Sequence, residues 1–132
     1  MSHPALDKFG ELIVNSLRDN AIEYYDRLAK GEWKAPNLEQ LQSDLATLND
    51  EQRDIVRRCV IGAVDTALHD VLFGISEAHD MESGIEVIVD GENIVELSDG
   101  LNGEQFTDDG WIARFGVYSE DGTPVERDES EE

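Results

Sequence analysis

Asp65 and His69 lie four residues apart in the middle of the chain, and their types and spacing suit proton transfer. On a helix, side chains at i and i+4 face each other, so the carboxylate could orient the imidazole as a general base. The plain alternative is a solvated ion pair on a polar helix face. With 31 acidic residues among 132, a histidine meets a carboxylate often by chance. An exposed pair of that kind is worth no more than ~1 kcal/mol. Asp65 and His69 are therefore weak catalytic candidates, and the balance falls against an enzyme.

The other constellations are weaker. His69, Asp70, Glu77, His79 and Asp80 could be drawn into a metal site, but the two histidines are ten residues apart, about 80° off a common helix face. No metal and no cofactor is expected. Gly100-Leu101-Asn102-Gly103 follows Asp99 and has no lysine, so it reads as a turn rather than a phosphate cradle. Ser43, Ser76, Ser83, Ser98 and Ser119 all lack the strand-turn-helix context of a nucleophile elbow. Trp33, between Glu32 and Lys34, and Phe106, Trp111, Phe115 and Tyr118, in the acidic C-terminal third, are large aromatics in charged company. They are candidate partner-binding residues, because buried aromatic anchors carry much of the energy of protein interfaces. The alternative is that they close the core.

The element that must position Asp65 and His69 is the apolar run from Ile55 to Ile75. At roughly 100° per residue its apolar positions cover about half the circumference, which calls for several covering partners. Cys59 lies inside this helix, has no second cysteine to pair with, and reads as a buried thiol. Before it, Pro4 marks a first turn and Leu6, Phe9, Ile13, Leu17, Tyr24 and Leu28 recur at helical spacing over residues 4–30, with Gly31 as the stop. Pro36 separates a second helix, 38–48, with Asn37 and Gln40 as a capping pair and Leu38, Leu41, Leu45 and Leu48 as its stripe. Asn49 and Gln52 then cap the third, 50–78.

The period then changes. Two β-branched runs, 85–89 and 92–97, flank Asp90-Gly91, a hairpin signal. A lone hairpin is marginal in water, so this one should lie on the third helix. Residues 108–116 fit a short helix or a third strand, and the helix is favoured. From Ser119 to Glu132 there are seven acids, one proline and one apolar residue, Val125, which points to a disordered tail. The expected architecture is α+β and mainly α: an antiparallel three-helix bundle carrying a β-hairpin, one domain over 1–118, and an acidic tail over 119–132.

Charge is the extreme property. The formal net is -21, and the excess is uneven: residues 1–81 carry 15 acids and 8 bases, residues 82–132 carry 16 and 2. Direct binding to nucleic acid or anionic lipid is disfavoured. The apolar run is long enough to span a bilayer, but Asp65, His69 and Asp70 would sit near its middle at a cost of several kcal/mol. No secretory signal is visible at the N-terminus, so a cytoplasmic location is expected. The stretch from Gly84 to Gly100, followed by Asp109-Gly110-Trp111-Ile112-Ala113-Arg114-Phe115, resembles segments of small bacterial proteins. That resemblance implies no activity and transfers no site residue.

Three functional readings follow. The first is a small acidic interaction protein of a bacterial cytoplasm that neutralises a basic partner, such as a toxin or a nucleic-acid-binding protein, with electrostatics setting the on-rate. The second is acidity as an adaptation to a salt-rich habitat. The third is a small enzyme or ligand-binding domain on the Asp65 and His69 side of the third helix. Salt separates the first two. A cooperative thermal transition in dilute buffer, in the ~45–65 °C range of mesophile domains and rising modestly as salt screens self-repulsion, is expected. Circular dichroism melts over a salt series check this. A chain unfolded below ~0.5 M salt would make the acidity an adaptation to solvent.

Overall fold

The computed structural model describes residues 3–127. It is mainly helical, with one small two-stranded antiparallel sheet. Residues 4–29 form a single helical run in three parts: α1 (Pro4–Ile13), a π-helical segment (Val14–Asp19) and α2 (Asn20–Ala29). Pro4 opens it, and Gly31 closes it in a Schellman arrangement, with Glu32 N–H donating to Arg27 O (2.9 Å) and Gly31 N–H to Leu28 O (3.1 Å). The π segment changes which residues face inward. Its wider winding turns less per residue, so Val14, Arg18 and Asp19 are buried and the inward line continues through Ile22, Tyr25 and Leu28. Leu17 and Tyr24, expected on the core stripe, are turned outward instead, 38% and 41% exposed.

After a 3-10 turn at Pro36–Leu38 comes α3 (Glu39–Ala46). The expected Asn37–Gln40 capping pair does not form, because the proline-led turn already starts the winding. Gln42 ties the loop instead, accepting from Trp33 N–H (2.9 Å) and donating to Trp33 O (3.0 Å). Of the leucine stripe, Leu45 is buried, Leu38 and Leu48 are half-buried and Leu41 is exposed. The long helix α4 (Asp50–Asp80) starts at the expected capping box, Asn49 with Gln52.

The wide apolar face of α4 is only half covered, contrary to expectation. Ile61, Leu68 and Leu72 are its buried residues, while Ile55, Val71 and Phe73 are each about half exposed, and Cys59 is exposed rather than buried. The sheet is too small to help. β1 (Ile88–Val89) and β2 (Glu92–Asn93) pair for two residues each, shorter than the expected 85–89 and 92–97, and β1 packs against α1. Asp90 and Gly91 both take positive φ, as the tight turn requires. α4 is covered instead by α2, by the π segment and by the 3-10 turn Leu101–Gly103. Residues 108–116 resolve to the favoured helix, α5 (Trp111–Phe115), which begins from Gly110 and packs on α1 and the π segment.

Two apolar clusters result. The first gathers Leu6, Phe9, Val14, Leu68, Leu72, Ile94, Leu101, Trp111 and Ile112. The second gathers Tyr25, Leu28 and Leu45, with Trp33, Leu38, Leu48, Val56 and Val60 partly buried around it. Trp111 is the largest side chain in the first cluster, wholly buried with Phe9 edge-on at 5.9 Å between centroids. Gly10 makes room for it, since a Cβ there would run into the indole ring.

Gly10→Ala is therefore expected to destabilise the domain by about 1–3 kcal/mol through overpacking, although alanine is the better helix former. Urea unfolding reads the sign. A stabilised variant would show that the indole can move aside.

Candidate functional site

Asp65 does not pair with His69. Its carboxylate meets Arg18 of the π segment, accepting from Nε at 2.7 Å and Nη2 at 3.4 Å. The Arg18 side chain has no exposed surface and that of Asp65 is 15% exposed. Nη1 and Nη2 also donate to backbone carbonyls of the C-terminal segment: Nη1 to Tyr118 O (3.0 Å), and Nη2 to Ser119 O (3.0 Å) and Glu120 O (3.2 Å). His69 turns away, its Nδ1 3.3 Å from Asp70 Oδ1 and its Nε2 3.2 Å from Asn102 Nδ2. Asp65 and His69 make no hydrogen bond to each other, so the expected acid-base dyad is not assembled.

The C-terminal segment that Arg18 holds is the first part of the expected tail. Residues 119–127 lie against the domain, and residues 128–132 fall outside the described ones. Arg57, itself bound to Asp26 (Nε to Oδ1, 2.8 Å), donates to Gly122 O at 2.9 Å. Arg127 reaches back to Ala113 O at 2.9 Å, and an isolated bridge joins Tyr118 to Pro124. Composition pointed to disorder because the segment has almost no apolar side chains, but its anchoring runs through backbone carbonyls, which every sequence carries. At the turn, the hydrogen bond from Ser119 Oγ, then those from Thr123, pull the Asp121 carboxyl down to about 2 from an ordinary 3.8. A depressed carboxyl contributes fully above its unfolded value, so this contribution is complete above pH ~4 and disappears as pH falls towards ~2.

The aromatic candidates do not form one patch. Trp111 is wholly buried, and Phe106 and Phe115 pack against the same core. Tyr118 is half-buried, with the Arg57 guanidinium 5.7 Å from its ring centroid. Trp33 belongs to the second cluster, between Tyr24 and the Arg27 guanidinium, which lies 4.0 Å from the ring centroid. For most of these side chains, core closure is the use the fold makes of them.

What the fold does assemble is an acidic groove of about 430 Å³ where the start of α1 meets the loops around the 3-10 turn and α5. Half-buried Leu97 supplies accessible apolar surface over the buried Leu6, and Asp7, Asp99, Glu104 and Asp109 line the groove together with His3 and Arg114. Arg114 pairs with Asp7 at 3.0 Å. Glu104 accepts from Ser98 Oγ at 2.8 Å, and among the described residues no cation lies within ion-pair distance of Asp99, Glu104 or Asp109. Sequence reasoning missed this groove because His3, Leu6 and Asp7 are about a hundred residues from the other lining groups. The signal it did carry was the acid excess after residue 82. A second acidic hollow forms at the end of α4, where His79 Nδ1 lies 3.9 Å from Glu86 and Nε2 3.8 Å from Glu96, beside Asp80 and Glu82. Among the described residues, no group of three or more His, Cys, Asp or Glu side chains is placed to hold a metal ion.

No protein-family model matches the chain, no curated protein matches it, and no solved structure matches it.

Asp65→Ala leaves a buried guanidinium without its counter-charge, so it is expected to cost about 3–5 kcal/mol, several times the cost of losing an exposed pair. His69→Ala should cost less than ~1 kcal/mol. Truncation after Tyr118 removes two of the carbonyls that receive Arg18 and the one that receives Arg57, and should lower the melting temperature by about 5–10 °C. Chemical and thermal denaturation of the three variants measure all three. Equal costs for Asp65→Ala and His69→Ala would contradict the arrangement.

Proposed function

We propose that this chain is a small acidic, non-catalytic interaction protein that binds a basic protein partner through the groove between the start of α1 and the Asp99–Asp109 region. The scaffold is read as an antiparallel three-helix bundle, and the setting as a bacterial cytoplasm. The observation that carries the reading is the lining of the groove. Three carboxylates, Asp99, Glu104 and Asp109, have no cation at ion-pair distance among the described residues, and they stand beside the apolar side chains of Leu6 and Leu97. A lysine or arginine side chain matches both parts: its aliphatic stem packs on leucine while its charged head meets the carboxylates. At longer range, a net charge of -21 attracts a basic surface and speeds its approach. Candidate partners are a basic toxin or a nucleic-acid-binding protein whose phosphate-binding surface the acidic face would occupy.

The enzyme alternative loses its main support because Asp65 is committed to Arg18. The habitat reading explains an acidic composition but gives no reason for carboxylates to gather around two leucines.

An arginine-rich peptide is the probe. Titration by calorimetry should show binding that weakens steeply between ~0.05 and ~0.3 M salt. Asp99→Asn/Glu104→Gln/Asp109→Asn should weaken it at least ~10-fold, about 1.4 kcal/mol. A control triple variant at Glu11, Glu23 and Glu51, all changed to Gln, alters net charge equally and should weaken it much less. Equal losses in the two triples would reduce the interaction to a general charge effect and remove the groove from it.

A further inference from the structure

We infer that the outer face of α4 is an isologous interface on which a second copy of this chain docks antiparallel. Ile55, Cys59, Gly62, Thr66, His69 and Phe73 recur at alternating steps of four and three, the spacing of a helix-pairing seam. Ile55 and Phe73 are each 48% exposed, and Cys59, Gly62 and Thr66 are also exposed. Gly62 sits in the middle of a 31-residue helix, where glycine is the poorest ordinary helix former, and nothing within 4 Å of a Cβ at that position explains it inside one protomer. Close approach of another helix does.

The order of the residues selects the occupant. An antiparallel copy related by a two-fold axis level with Val64 sets Ile55 against the partner's Phe73, and Gly62 against the partner's Thr66. Large side chains meet at both ends of the seam and small ones at its centre, which is the self-complementarity an isologous contact needs. From Ile55 to Phe73 the helix rises roughly 27 Å, and two helices touching over that length bury on the order of 1,000 Å² in total, near the lower limit of a specific interface. Charge excludes the obvious alternative. In a chain of net -21 this seam carries no carboxylate of its own, Asp65 being turned inward to Arg18 and Asp70 standing beside the seam. A basic partner gains nothing there, whereas two like-charged copies can approach only where charge is low.

The contact shares no residue with the acidic groove, and its salt dependence has the opposite sign. Added salt screens the repulsion between copies and strengthens the pairing, while it weakens capture of a basic partner. Sedimentation equilibrium of the full chain at ~0.15 and ~0.5 M salt, at concentrations on the order of 100 µM, should show a species of twice the 14.7 kDa chain mass, favoured by salt. Thr66→Glu and Gly62→Glu place a charge on the seam at exposed positions. Both should keep the helical circular dichroism spectrum and weaken association at least ~100-fold. A wild-type monomer under both conditions overturns the proposal, as does a dimer that survives either substitution. Flotation of the wild-type chain with phosphatidylcholine vesicles would assign the face to a lipid surface and overturn it as well.

Discussion

The buried Arg18–Asp65 pair is the interaction on which the rest of the fold depends. It lies between the two apolar clusters. Along the first helical run the order is Val14, Arg18, Ile22, Tyr25, and along α4 it is Val60, Ile61, Asp65, Leu68, so each partner sits where one cluster gives way to the other. Burying a guanidinium costs several kcal/mol unless its protons are all received. Here one carboxylate and three backbone carbonyls engage all three guanidinium nitrogens. That requirement couples three segments far apart in sequence: the π segment that turns Arg18 inward, the middle of α4, and the chain after Tyr118.

The π segment is what makes this pairing compatible with the core. A regular α-helix would present Leu17 and Tyr24 in line with Leu6 and Phe9, giving one continuous apolar stripe and leaving Arg18 at its edge. Widening the helix over Val14–Asp19 carries the inward line to Arg18 and Asp19. Asp19 in turn accepts from Val117 N–H at 3.1 Å and from Asn15 Nδ2 at 2.8 Å, so the same six residues also fix where the chain leaves α5. Helix irregularity here serves placement of polar anchors rather than flexibility.

Local chemistry was legible in the sequence. Pro4, Gly31, the Asn49–Gln52 box and Asp90-Gly91 each act within a few residues, and each appears where its spacing indicates. The mainly helical class with a small hairpin follows from them. What sequence could not show depends on contacts made across about a hundred residues. Gly10 stands out only as a glycine inside a helical pattern, and nothing near it in sequence marks it as the seat of Trp111. The acids at 99, 104 and 109 are readable as an excess, but not as the wall of a groove closed by Asp7 and Leu6. Periodicity also misplaces Leu17 and Tyr24, because a hydrophobic pattern reports the average winding of a helix and not its local width. Coverage of α4 was overestimated for a related reason: an apolar run fixes how much surface asks for burial, while the size of the sheet fixes how much receives it.

The two tryptophans divide these regions between them. Trp111 is wholly buried in the first cluster, and Trp33 is half-buried against Arg27 at the edge of the second. Their indoles therefore experience different polarity, and their emission reports on opposite sides of the Arg18–Asp65 pair. A chain with only Trp111 and one with only Trp33 would yield two optical views of the same unfolding transition. If the ion pair welds the clusters into one cooperative unit, both views trace a single curve. Loosening the pair would let the curves part, turning a buried electrostatic contact into a visible spectroscopic splitting.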